Sequence, residues 1–398
     1  MQSCFFSNIY FFFNYNKSNK ANIFKKKLIS FTSEKKGKSN AIILKYNCKD
    51  PSIPVQLFNT TSQIQNHIKS LRVGGKEENI TEKFTFGFSG KYKVKIELIY
   101  KITSLKNVFS GCGQLLNENF ENFDSEEVID MSGLFEGCLR LKYIEFGDFN
   151  TKKVINMRNM FSGCKSLDNL NLSVFDTSNV QYMDGMFSGC EELYNLDLSN
   201  FETKNVLRMD NMFAGCNYLY ILNISSFDTS NVQNMSKMFD KCSNFATLNI
   251  SHFKTSKVTR MDYLFHGCRK IITLNLSLWE TPLVTTFSNM FSGCTKLSNI
   301  TMDKFDTSNV LYMDSMFLRC LNLTYLNIRH FKTSKVVNIG NMFNGCEILT
   351  SLDVSSFDTS NVVNMSGMFC SDFSLKSLNL SNFKTKKWRE WTIFLIKI

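Results

Sequence analysis

Histidine is almost missing from this chain: His67, His252, His266 and His330 are the four in 398 residues. No two of them share the spacing of a metal pair or of a nucleophile and its base. His252 and His330 fall on one variable position of two different repeats, as surface residues do. The sequence also contains no phosphate-cradling glycine loop, no nucleophile elbow and no paired-carboxylate arrangement. These absences exclude the common catalytic classes. The chain reads as a non-enzyme, with no catalytic, cofactor-binding or metal-ligating residues.

Long apolar runs are missing too. The aromatic start CFFSNIYFFF spans about ten residues with Ser7 and Asn8 inside it, too short to cross a bilayer, so no transmembrane segment is expected. A secretory signal places its positive charges before the apolar run and a small-residue cleavage site after it; here Lys17, Lys20, Lys25, Lys26 and Lys27 follow the run. Cys4 lies too early for a lipoprotein site. Residues 1–40 read as a disordered or wrongly annotated tail, with a divergent export signal as the other reading. The formal net charge of +11 is mostly in this region: residues 1–50 hold ten lysines against Glu34 and Asp50, or +8. The remainder is close to neutral. No basic stripe is left on the folded part, which argues against nucleic acid as a partner.

What the chain has is period. Cys112, Cys138, Cys164, Cys190, Cys216, Cys242, Cys268, Cys294, Cys320 and Cys346 stand 26 residues apart without a slip. A fixed period with no insertion means that each unit is one supersecondary block, stacked on copies of itself because it cannot bury its own apolar face. Ten full units begin at Phe123, Phe149, Phe175, Phe201, Phe227, Phe253, Trp279, Phe305, Phe331 and Phe357, each counted here from position 1 to position 26. Stacked at one strand spacing, they make a rod about 50 Å long.

Positions 19, 22 and 24, as in Leu193, Leu196 and Leu198, carry the L-x-x-L-x-L pattern of a short parallel strand. Position 6 is valine in all ten units and suits a second β segment. Positions 9, 12, 13 and 16, as in Met183, Met186, Phe187 and Cys190, are apolar at i, i+3, i+4 and i+7, one face of a short helix. Ser or Asp at position 10 (Ser132, Asp184, Asp210, Ser236, Asp314) is expected to cap that helix, and Gly at position 15 (Gly137, Gly189) to end it. Phe at position 13 reads as a stacked core. Thr at position 3 reads as a hydroxyl ladder satisfying turn backbone. The expected fold is an α/β repeat solenoid, a leucine-rich-repeat-like right-handed coil with short parallel strands and a short helix per unit.

The thiols invite a metal or disulfide reading. Zinc needs ligands converging on one point, whereas this period sets one thiol per coil in a line, so buried core thiols are the better reading. The domain plan is a tail (1–40), a small α+β cap (41–96), the solenoid (97–382) and a truncated repeat or C-terminal cap (383–398). In the first cap we expect a strand AIILKY, a helix from Thr61 to Leu71 and a hairpin EKFTFGFSGKYKVKIEL turning near Ser89 and Gly90. Trp388, Trp391, Phe394, Leu395 and Ile398 continue the core pattern at positions 6, 9, 12, 13 and 16 and are expected to close the array. In the last full unit Asp372 takes the place of the ladder cysteine, with Cys370 two residues away.

The phrase FDTSNV..M..MF.GC..L..L.LS, nearly intact at residues 175–199, resembles the BspA-like leucine-rich-repeat surface proteins, including the related repeat of unknown function in mycoplasma lipoproteins. The resemblance covers about residues 97–390. It implies a cell-surface or extracellular protein that adheres to proteins or glycans through its repeats. An intracellular, cytoplasmic interaction scaffold is the alternative, because no lipobox, anchor or clean signal is seen. Tyr194 and Tyr220 share position 20 of adjacent units, and Tyr182 and Arg208 share position 8. Aromatics and Arg are common interface anchors, so these four are the candidate partner-binding residues. A lysine-bearing turn face, interrupted by Asp176, Glu202 and Asp306, reads as a solvated edge.

Overall fold

The computed structural model describes residues 40–120 and 123–384. The aromatic N-terminal run and the expected closing residues Trp388, Trp391, Phe394, Leu395 and Ile398 lie outside the described residues. What is described begins with a mixed sheet and continues as a stack of coils.

Twelve strands occur among the described residues: β1 (Ala41–Cys48), β2 (Val55–Gln56), β3 (Ile68–Val73), β4 (Lys76–Glu78), β5 (Lys83–Phe84), β6 (Gly90–Leu98), β7 (Leu115–Asn119), β8 (Tyr143–Glu145), β9 (Asn195–Asp197), β10 (Ile221–Asn223), β11 (Thr273–Asn275) and β12 (Asn299–Thr301). Six of them form a sheet in the order β4-β3-β6-β1-β7-β8. Its strand β1 runs antiparallel to β7, with Leu44 opposite Glu118, while β7 runs parallel to β8, with Glu118 opposite Ile144. The antiparallel cap thus covers the edge of the first coil's strand, which would otherwise stay open to pairing.

Two expectations for the cap are corrected. The segment from Thr61 to Leu71 is not an α-helix: 3-10 turns at Thr60–Ser62 and Ile64–His67 are separated by Gln63 at φ 58°, and β3 follows. Residues 82–98 do not form a local hairpin either. Phe84 pairs with Val55, and β6 pairs over its length with β1, from Ala41 opposite Glu97 to Cys48 opposite Gly90. Both long strands bury alternate residues, among them Ile42, Leu44 and Tyr46 against Val94, Ile96 and Leu98. That alternation sets their register, and the two-residue β5 offers no comparable face.

In the array, an unbroken ladder of parallel bridges joins position 8 of every coil, from Ser104–Asp130 through to Asn338–Asn364. The expected strand at positions 21–23 appears as β8 to β12, with Leu196 opposite Leu222 and Leu274 opposite Ile300. The expected helix does not appear. Between positions 9 and 15 the odd-numbered N–H groups donate to the next coil: Met183 to Arg208 (3.2 Å), Gly185 to Asp210 (2.9 Å), Phe187 to Met212 (2.9 Å) and Gly189 to Ala214 (2.6 Å). The even-numbered N–H groups close tight turns three residues back, as Met186 to Met183, Ser188 to Gly185 and Cys190 to Phe187. An α-helix would spend all of these within one segment.

Two left-handed residues per coil make the alternation possible. Position 11 has positive φ (Asn159 51°, Gly185 66°, Asn211 59°), and so does position 15 (Gly163 73°, Gly189 71°, Lys241 59°). Gly and Asn reach that region at least cost. At Gly185 a Cβ would lie 2.0 Å from Asn159 Oδ1, so the Asn of one coil fills the space left by the Gly of the next. Position 10 does not cap a helix; where position 8 is Ser, Thr, Asn or Asp, that side chain instead holds the position-10 N–H, as Ser236 N–H by Asn234 Oδ1 at 3.0 Å.

The inward face matches the apolar pattern all the same. Met183, Met186, Phe187 and Cys190 are fully buried, as are their counterparts in the other coils. The position-13 rings stack from Phe109 to Phe369 at centroid distances such as 5.7 Å for Phe187–Phe213, with planes 4° apart. Each position-3 hydroxyl ties two coils: Thr177 Oγ1 donates to the Glu202 carbonyl (3.0 Å) and accepts the Glu202 N–H (2.8 Å). Trp279 replaces Phe at position 1, and its indole N–H donates to the buried Ile250 carbonyl at 3.1 Å, as a buried indole must.

Two carboxyls depart from the pattern. Glu118 occupies apolar position 22 of the first coil with neither oxygen hydrogen-bonded among the described residues, and burial pushes its carboxyl well above the ordinary range. Asp372 accepts the Cys346 N–H at 2.8 Å through Oδ1 while Oδ2 lacks a partner, and burial raises it to about 7. By contrast Asp176, Asp228, Asp306 and Asp358 are held low by the Ser two residues on.

Far-UV circular dichroism is expected to lack the α-helical double minimum; a helical spectrum would contradict the turn assignment. Phe213→Ala, at mid-ladder, is expected to cost about 3–5 kcal/mol in urea unfolding. The lowered aspartates contribute stability that is present above the unfolded value near ~3.9 and is lost as pH falls through their folded values. Asp372 and Glu118 have the opposite sign: their contribution is lost as pH rises above the unfolded values, for Asp372 through about 7. Asp372→Asn should therefore raise the unfolding midpoint at about pH 8 and change it little at about pH 4. An equal effect at both would refute the burial of an ionising carboxyl.

Candidate binding surface

Coils of this kind present their variable side chains outward on rows, one residue per coil. Position 8 lies on the continuous parallel bridge ladder, where Tyr182 pairs with Arg208. The Arg208 guanidinium is held by both Asp210 oxygens at 2.9 Å, and Arg260 is held by Asp262 at 2.9 and 3.0 Å. The adjacent Asp210 raises the Arg208 pKa further. Arg158 lies over the Tyr182 ring, with Cζ 4.4 Å from the centroid, while its Nε meets Asp184 at 2.7 Å. The charges of this row are satisfied within the chain.

Position 20 is different. The Tyr194 and Tyr220 rings stack on one another at 5.6 Å, 21° from parallel, and remain 51% and 48% exposed. On the coil before Tyr194, position 20 is Asp168, which adds no third ring. A depression of about 570 Å³ lies there, lined by Asp168, Asn169, Tyr194, Asn195 and Asp197 among others, all from positions 20 to 26 of two coils. A smaller one of about 290 Å³ recurs at the same positions four coils on, beside Thr273, Asn275, Asn299 and Thr301. The structure thus places the four candidates on two separate rows. It adds four exposed residues that sequence reasoning passed over, Ile272 at position 20 and Tyr143, Ile221 and Tyr325 at position 21. Their shared repeat positions were the available signal.

The cysteine ladder has a donor role. Each thiol from Cys138 to Cys346 donates to the position-13 carbonyl of the previous coil, as Cys190 to Phe161 at 3.2 Å and Cys216 to Phe187 at 3.1 Å. Burial pushes the Cys216 and Cys294 thiols up to about 12. No disulfide links the described cysteines, and no group of three or more His, Cys, Asp or Glu able to hold a metal ion occurs among the described residues. The lysine-bearing edge is partly paired with acid: Lys153 meets Glu127 at 2.7 Å and Lys254 meets Asp228 at 3.6 Å, while Lys257 donates to the neutral Asn231 amide at 2.6 Å. No described helix is long and apolar enough to cross a membrane.

The model of the family described as "Mycoplasma protein of unknown function, DUF285" matches residues 103–221, 219–325 and 297–394. No match is found among curated proteins. Among solved structures, a leucine-rich repeat protein from Bacteroides ovatus is 19% identical, covering 67% of this chain and 84% of its own, with a TM-score of 0.25. The internalin InlF of Listeria monocytogenes is 17% identical over 71% of this chain and 74% of its own, TM-score 0.25. The functional domain of InlJ from Listeria monocytogenes, which includes a cysteine ladder, is 16% identical over 61% and 53%, TM-score 0.19.

The ladder thiols are expected to resist maleimide labelling in the native chain at about pH 7.5 and to react once it is unfolded, because the thiolate is the reactive form. Rapid native labelling of any residue from Cys112 to Cys346 would contradict the closed core.

Proposed function

Because the chain belongs to the family described as Mycoplasma protein of unknown function, DUF285, we propose that its repeats serve as a non-catalytic interaction solenoid. It binds other proteins or glycans through its outward rows. The observation that carries this reading is the row of large, exposed side chains at positions 20 and 21, including Tyr143, Tyr194, Tyr220, Ile221 and Tyr325, on coils whose inward positions hardly vary. Such a row has no part in the core, and exposed aromatics grouped on a rigid frame are what an interface uses.

The BspA-like resemblance supports placing this surface outside the cell, in adhesion. The intracellular scaffold stays the second reading, supported by the unpaired cysteines, although shielded thiols form no disulfide in either compartment. Surface biotinylation with cell fractionation separates the two: labelling of the intact chain on whole cells is expected, and a purely cytosolic pool would sink the surface reading. For the solenoid itself, crosslinked affinity purification is expected to recover a partner, with capture by Tyr194→Ala/Tyr220→Ala reduced about tenfold or more. Undiminished capture would remove position 20 from that interface.

A further inference from the structure

We propose that the depression beside Tyr194 binds a neutral oligosaccharide, an inference that rests on reading the chain as a binding solenoid and names the ligand for one of its faces.

The first argument is the ring. Tyr220 stacks on Tyr194 at 5.6 Å, and Tyr194 also lines the depression on the side of the coil bearing Asp168. Stacking fixes the orientation of Tyr194, so little freedom is lost when a ligand settles on it. A pyranose has one face made mostly of C–H groups, and a fixed aromatic ring is its flat apolar complement.

The second argument is the polar lining. Asn169 and Asn195 stand at position 21 of adjacent coils, and neither side chain makes a hydrogen bond among the described residues; the same holds for Asp168. A carboxamide offers a donor and an acceptor side by side, which matches neighbouring sugar hydroxyls that each donate and accept. Asp197 accepts the Ser199 N–H at 3.0 Å, and that bond holds its carboxyl below the ordinary range, so it stays an ionised acceptor for a hydroxyl. Lys, Arg and His are absent from the lining, which leaves an anionic ligand uncompensated. Four amides and three hydroxyls share the lining with the two carboxylates, so most of the polar contacts it offers suit the hydroxyls of a sugar, and a basic peptide is the competing outcome of the test. Pockets for small ligands have this composition, one apolar wall and a few converging polar groups.

The test is calorimetric titration of the full chain with cellotetraose, maltotetraose and chitotetraose separately, with a heparin tetrasaccharide and tetralysine as charged controls. At least one neutral tetrasaccharide is expected to bind. Tyr194→Ala should weaken it about tenfold or more, Tyr194→Phe should keep it within about threefold, and Phe88→Ala, an exposed ring of the cap, should leave it unchanged. Thermal melts matching the parent chain show that the variants fold. Three silent neutral sugars, binding indifferent to Tyr194→Ala, or binding of only heparin or tetralysine would each overturn the proposal. Silent sugars alongside a protein partner captured on another row would sink the sugar site alone and leave the solenoid reading standing.

Discussion

Four backbone N–H groups per coil, at positions 9, 11, 13 and 15, must each meet a carbonyl of the next coil, and most of the structure follows from that requirement. A buried N–H without a partner costs about 1–3 kcal/mol, so a coil with one residue too many would forfeit several bonds at once. This explains a period of 26 that never slips between Cys112 and Cys346. It also fixes which atoms line the core. Residues between two inter-coil donors fold back in tight turns, and the side chains at positions 9, 12, 13 and 16 are thrown inward.

That geometry shows why the period and core were legible and the local conformation was not. Burial at i, i+3, i+4 and i+7 is the mark of a helix, yet a run of alternating turns with two left-handed residues gives the same spacing. The discriminating residues were present at position 11, where Gly133, Asn159, Gly185, Asn211, Asn289, Asn341 and Gly367 stand. Gly and Asn in such a row, four residues before a second row of Gly, mark left-handed backbone rather than a helix interior. In the cap, β1 and β6 were readable as strands, but their pairing spans some fifty residues of chain and left no local trace. The Tyr194–Tyr220 stack follows from equal repeat positions. The depression beside it does not, since its lining joins side chains from positions 20 to 26 of two coils, Asp168 and Asn169 of one with Tyr194, Asn195 and Asp197 of the next.

The polar ladders follow the same economy as the backbone. Thr at position 3 bonds both backbone groups of position 2 in the next coil, and Asn at position 5 reaches back to the preceding coil, as Asn205 does to the Ser178 carbonyl at 2.7 Å. The thiol ladder adds a third tie, from position 16 to the position-13 carbonyl. Side chains that bond from coil to coil must recur, because losing one leaves its neighbour's group unpaired. Of the two exceptions, Glu118 lies where the cap sheet meets the first coil, and Asp372 stands at the ladder-cysteine position of the last full unit.

Rows that take no part in these ties are free to vary, and they differ in what they have left to offer. Along position 8 the arginines are engaged: an Arg held by both oxygens of an Asp must break two charge-assisted bonds before it can serve a partner. Tyr182 is covered by Arg158. Along positions 20 and 21 the large apolar and aromatic side chains stand outside every hydrogen-bond ladder, about half exposed, above strands whose own bonds run from coil to coil. A ligand docking there need not displace an internal bond. The face that contributes least to holding the stack together is therefore the one best placed to hold something else.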